Sequence, residues 1–116
     1  MANLLEYFVH HEDVRRGGGR RDPRPEAETG PLADGLWRVL GRAGRLLARS
    51  LGPTGLQLRR PDGACRTVHR GVSPATLTGA PGELALYLTG RRDAAVVTLE
   101  GPDDAVAAVR AADLGL

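Results

Sequence analysis

The sequence predicts an α+β fold with a separate helix ahead of it. Three observations carry that reading. Residues 32–51 repeat apolar side chains at helical spacing, whereas residues 55–70 alternate with a period of two. A further apolar run at 95–100 stands between two short segments with helix-start signals. Before all of these, residues 3–16 form a helical run that Gly17-Gly18-Gly19 ends. From residue 32 onward the elements read helix, strand, strand, strand, helix, strand, helix. That order suits a small domain with a mostly antiparallel sheet.

Along the first helix, Leu5, Phe8, Val9 and Glu12 recur at the i, i+3, i+4, i+7 spacing of one face. Asn3 stands at the N-cap with Glu6 three residues on, the capping-box pattern, and Arg15 and Arg16 complement the dipole in the last turn. Residues 17–31 hold three consecutive glycines, Pro23, Pro25 and Pro31, and nothing apolar larger than Ala, so they read as a flexible linker. The triple glycine has neither a preceding strand nor a following Lys-Ser/Thr and is not a phosphate-binding P-loop.

Residues 32–50 read as a helix. Leu32, Leu36, Val39, Leu40, Leu46, Leu47 and Leu51 make its apolar stripe, Trp37 packs beside it, and Arg38, Arg42, Arg45 and Arg49 take the wet side. Gly41 and Gly44 weaken the helix but permit close approach to a sheet. Gly55–Arg60 and Ala64–Arg70 alternate around the turn Pro61-Asp62-Gly63, which makes a hairpin with Cys65, Thr67 and His69 on one face. A third short strand is expected at Ala75–Gly79, then a helix from Pro81 to Thr89. The run Ala95–Glu100 is apolar enough for a central strand, and the last helix opens at Pro102 with Asp103 and Asp104 at its dipole-favoured end. The expected division is 1–16, 17–31 and 32–116.

All 16 basic residues are Arg, against 14 acids, for a net charge of +2. Such Arg usage, with Gly 16 and Pro 8, is what a GC-rich coding sequence produces, so the arginines carry less functional information than their number suggests. They read as alternating with acids, and one Trp, one Phe and two Tyr leave little to stack on bases, so no nucleic-acid partner is expected. The single Cys65 excludes an internal disulfide and suits a reducing cytoplasm, and it has no acid–base partner next to it for catalysis. No apolar run approaches a membrane span, and the first residues lack the charged-then-apolar layout of a signal peptide, so no membrane partner is expected.

Chemistry concentrates in the first helix. Glu6 and His10 are four apart, one turn up the same face, and such a pair can hold a divalent ion, with Asp13 or Glu12 to accept from the imidazole's other nitrogen and His11 as a further supporting neighbour. A catalytic zinc needs three protein ligands plus water, and the remaining histidine, His69, falls in a strand far along the chain. Spacing alone leaves two readings, a metal-holding pair or a capped surface helix with both histidines solvated, and it favours the second.

The run from Glu6 to Arg16 resembles the last bundle helix of DinB-like metal-binding proteins in the actinobacterial mycothiol-dependent maleylpyruvate isomerase family. There that helix gives a Glu-x3-His pair to a divalent metal, usually zinc, and Glu6 and His10 match the pair. The family's third ligand comes from an earlier helix that has no counterpart here, so the chain is expected to be the C-terminal part of such a protein. Residues 32–116 resemble the sterol-carrier-like domain that follows the bundle, with Leu84–Arg91 similar to its helix-then-Gly-Arg element.

The resemblance implies mycothiol, a low-molecular-weight thiol, as cofactor, a metal-bound thiolate as attacking group, and Arg91 and Arg92 as contacts to the cofactor. It implies a divalent-metal-binding protein that is not catalytically competent alone. The alternative is a non-catalytic small-ligand or protein-interaction module. Cut from its bundle, the first helix is expected to be exposed, loosely docked, or paired through residues 3–16 with another copy or with a separate N-terminal bundle.

Overall fold

The computed structural model describes residues 2–17 and 22–115, without the side chains of Ala2, Asn3 and Glu26. The hairpin forms where alternation places it, as β1 (Thr54–Arg59) and β2 (Cys65–His69), and β3 (Val72–Thr78) and β4 (Thr98–Glu100) complete a four-stranded sheet in the order β2-β1-β3-β4. The helices are α1 (Ala2–Arg15), α2 (Pro31–Leu47), α3 (Pro81–Leu88) and α4 (Asp103–Ala111). The class is α+β and the sheet is mixed: β1–β2 and β3–β4 are antiparallel, and β1–β3 is parallel.

The parallel pair requires the chain to leave β2 and pass beneath the start of β1. It does so at Gly71, where a Cβ would stand 2.2 Å from the Pro53 carbonyl oxygen and 2.4 Å from the Gly55 nitrogen. Only glycine fits that crossing. Sequence alternation marks strands but not their neighbours, which is why it gives no sign of the direction of β3.

Register puts Leu56, Leu58, Ala75 and Leu77 in adjacent rows, all fully buried under the helices. The opposite face carries Arg59, Cys65, Thr67, Thr98 and Glu100, all exposed. β4 is an edge strand of three residues, not the central strand expected from Ala95–Glu100. The reason is local: Arg92–Ala94 forms a 3-10 turn, and the Val96 N–H is taken by a carboxylate oxygen of Glu83 at 2.9 Å instead of by a sheet neighbour.

α2 lies against β2 through its glycines. A Cβ on Gly44 would come within 2.4 Å of Val68 Cγ1, so the missing side chain sets the distance between helix and sheet. Trp37 is buried beneath the guanidinium groups of Arg66, 5.0 Å from the ring, and Arg60, 5.6 Å from it. Leu46, assigned to the apolar stripe, is instead 48% exposed.

α1 is neither exposed nor loosely docked. Leu5, Phe8 and Val9 are buried in the same apolar cluster as Leu36, Leu40, Leu84 and Leu88. The segment read as a flexible linker is pinned at Ala27, which is 1% exposed in the 3-10 turn Pro25–Ala27, while Pro25 and residues 28–31 are exposed. Arg20 and Arg21 of that segment lie outside the described residues, as does the Asn3 side chain. The helix already begins at Ala2, ahead of the expected cap.

Charge, not only apolar area, fixes α1. Arg16 is 4% exposed and grips Glu83 of α3 with two 2.8 Å hydrogen bonds, while a third donates to the Ala94 carbonyl. Its Nε donates to Glu12, which also accepts from Arg15 and Arg24. Burial by itself pushes the Glu12 carboxyl up, but the hydrogen bonds from Arg15, Arg24 and Arg16 outweigh it and hold Glu12 below its ordinary value. Hydrogen bonds to Glu83 raise the pKa of Arg16, so it stays charged at any physiological pH. Among the described residues no buried side-chain nitrogen or oxygen in this structure lacks a partner.

Candidate ligand cleft

With its apolar face turned inward, α1 presents Glu6, His10 and Asp13 along one wall of a cleft of about 550 Å3. Leu46, Leu47 and Ala43 of α2 form the facing wall, and Thr89, Arg91, Leu114 and Gly115 close the end. The Gly115 N–H donates to the Leu47 carbonyl at 3.0 Å, which holds the C-terminal segment against α2. Thr89 Oγ1 donates to the Ala85 carbonyl at 2.7 Å and so finishes α3 at the cleft's edge. The floor is apolar (Leu5, Val9, Leu47, Leu114), and the rim is polar (Glu6, His10, Asp13, Arg91).

Four residues singled out in the sequence therefore meet here: Glu6, His10, Asp13 and Arg91. Asp13 and Arg91 are joined by two hydrogen bonds, Nε to Oδ1 at 3.1 Å and Nη2 to Oδ2 at 2.9 Å. Both side chains are about two-fifths exposed, so solvent screens the pair and it contributes about 0–1 kcal/mol. Arg91 also donates to the Thr89 carbonyl, which keeps the guanidinium at the cleft's end. Glu6 and His10 are exposed and make no hydrogen bond or ion pair among the described residues.

Two expected members lie elsewhere. His11 packs against Tyr7 with the rings tilted by 44° and their centroids 4.3 Å apart, and it is not part of the cleft lining. Arg92 donates to the carbonyls of Arg110 and Ala112 and lies 5.5 Å over the Tyr87 ring, which makes it a strut between α3 and the end of α4. His69, whose Nδ1 lies 2.8 Å from the Thr54 carbonyl oxygen, is bonded into the edge of the sheet.

The donor set does not fit a resident zinc of the three-ligand kind. Asp13 is engaged by Arg91, and among the described residues no three His, Cys, Asp or Glu side chains gather closely enough to hold an ion. Glu6 and His10 supply two donors at most. A wider hollow of about 900 Å3 between β4 and α4, near Leu99 and Val106, is an open trough without a histidine.

Leu46 is the cleft residue that sequence reasoning misplaces. Its signal is its position one residue before Leu47 on a stripe already full, so one of the two has to face outward. No described helix is long and apolar enough to cross a membrane. Comparison with protein-family models, with curated proteins and with solved structures finds no match to this chain, so the DinB-like resemblance rests on its own residues alone.

Proposed function

We propose that this chain is a small-ligand-binding module whose ligand lies in the cleft between α1 and the end of α2. One observation carries the reading: an apolar floor and a rim of two carboxylates, an imidazole and a guanidinium share one concave space. The matching ligand is a small amphiphile, its apolar part on Leu46, Leu47 and Leu114 and its polar head at the rim. The weak Asp13–Arg91 pair lets Arg91 turn to a ligand carboxylate without a large loss. Glu6 offers a partner to an amine.

A second reading is favoured by the unengaged Glu6 and His10 at the same rim. They hold a divalent ion weakly, and a donor on the ligand itself, such as the thiolate of a low-molecular-weight thiol like mycothiol, completes its coordination. The single free thiol of Cys65 accords with a cytoplasmic setting.

The test is a titration with decanoate and decylamine, each below its micelle concentration, followed by amide chemical shifts. Shifts are expected at Ala43, Leu46, Thr89, Arg91 and Gly115. Leu46→Glu, an exposed change in the apolar wall, is expected to weaken decanoate binding at least tenfold, about 1.4 kcal/mol, and decylamine binding less. Shifts absent from the cleft with both probes, or spread evenly over the sheet, would overturn the reading.

A further inference from the structure

The arginines do not alternate evenly with acids along the chain. Residues 31–72 hold eight arginines and two acids, Asp34 and Asp62, while the rest of the chain holds eight arginines and twelve acids. A coding bias toward Arg explains the number of arginines but not the exclusion of acids from this stretch. Both acids pair with the same arginine, Arg60.

On α2, Arg38, Arg42 and Arg45 fall within about 60° of one another around the helix axis, successive residues a turn apart, and Arg49 opens the 3-10 turn Arg49–Leu51 that follows the helix. All four are exposed. The neighbouring strand β2 adds Arg66, and Arg70 stands just past its end. None of these six forms an ion pair among the described residues. Between Arg45 and residues Thr67–Arg70 runs a groove of about 470 Å3.

We infer that this face of α2 and β2 binds the phosphate backbone of nucleic acid. A row of cations spaced by a helical turn meets a repeating anion better than an isolated one, and guanidinium groups pair with phosphate oxygens through two parallel hydrogen bonds. Trp37 is closed off beneath Arg60 and Arg66, so no aromatic is offered to the bases and binding is through backbone charge, without sequence readout. An anionic lipid surface fits less well. A helix that lies on a membrane inserts its apolar side, and that side of α2 (Leu36, Val39, Leu40) is already buried in the core. The surface is separate from the ligand cleft and does not depend on it.

The test is fluorescence anisotropy of the full chain with a labelled 20-base-pair duplex of mixed sequence, between 50 and 200 mM salt. Binding is expected to weaken with salt along a straight log–log line of slope about −4 to −5, the value for some five phosphates. Arg42→Glu and, separately, Arg45→Glu are expected to raise Kd tenfold or more at 50 mM salt and to flatten the slope. Arg110→Glu makes the same change in net charge at an exposed position on α4, and it is expected to change Kd less than twofold. All three variants should keep the wild-type melting profile. The proposal is overturned by absence of duplex binding at 50 mM salt, by an equal loss in Arg110→Glu, or by binding to phosphatidylserine vesicles without binding to the duplex.

Discussion

Arg16→Ala is expected to lower the unfolding free energy by about 3–5 kcal/mol in urea denaturation, the largest effect of any single polar substitution in the chain. The pair itself is not the source of so much stability, because burying two charges offsets most of their attraction. The loss comes from what remains. Glu83, 2% exposed, would keep only the Val96 N–H, and Glu12 would keep Arg15 and Arg24 but lose its innermost donor. A double variant separates these terms. Arg16→Ala with Glu83→Ala removes the stranded carboxylate, so it should cost less than the two single changes added together. Equal costs, or a single-variant loss below about 1 kcal/mol, would mean that Arg16 is not buried against Glu83 in solution.

Phe8→Ala is expected to destabilise by about 3–5 kcal/mol, the usual range for emptying an aromatic site in a core. Phe8 is 3% exposed and its ring lies over Gly82, where a Cβ would stand 2.8 Å from Cζ. That close approach brings α1 onto α3, so truncating the ring opens a cavity between the two helices. If α1 belongs to the same cooperative unit as the sheet, the denaturation midpoint should fall while the urea dependence stays unchanged. A reduced urea dependence with little change in midpoint would instead describe a helix that detaches alone.

The fold is legible in the sequence wherever a period is present. The stripe of α2, the β1–β2 hairpin, α3 and α4 all emerge from spacing and caps, within two or three residues at their ends. What stays hidden depends on distance along the chain. The parallel β3 rests on Gly71 passing Pro53, and no local pattern marks that crossing. The docking of α1 does leave a trace: Glu12 and Arg16 are spaced i, i+4, and Glu83 is the one acid inside the apolar run of α3. A charge inside an apolar run asks for a buried partner, and only the folded chain shows that the partner is Arg16, 67 residues away.

The cleft is half legible. Glu6, His10 and Asp13 share a helical face, which local spacing gives directly. That Arg91 meets them, while Arg92 turns to the end of α4, comes from the bend after α3 and from no sequence signal. The arginine stripe is visible on the wet side of α2 before folding. Its meaning is masked because the acids elsewhere in the chain bring the total net charge down to +2.

The cleft, the ion cluster and the shared core all require α1 to be a fixed wall, and native-state amide hydrogen exchange tests that requirement most directly. Val9, His10, His11 and Glu12 are expected to exchange only through global unfolding, with the same free energy as Leu84 to Leu88 of α3. Exchange of the α1 amides at the rate of a free peptide, with α3 still protected, would contradict this expectation and remove the cleft together with the helix.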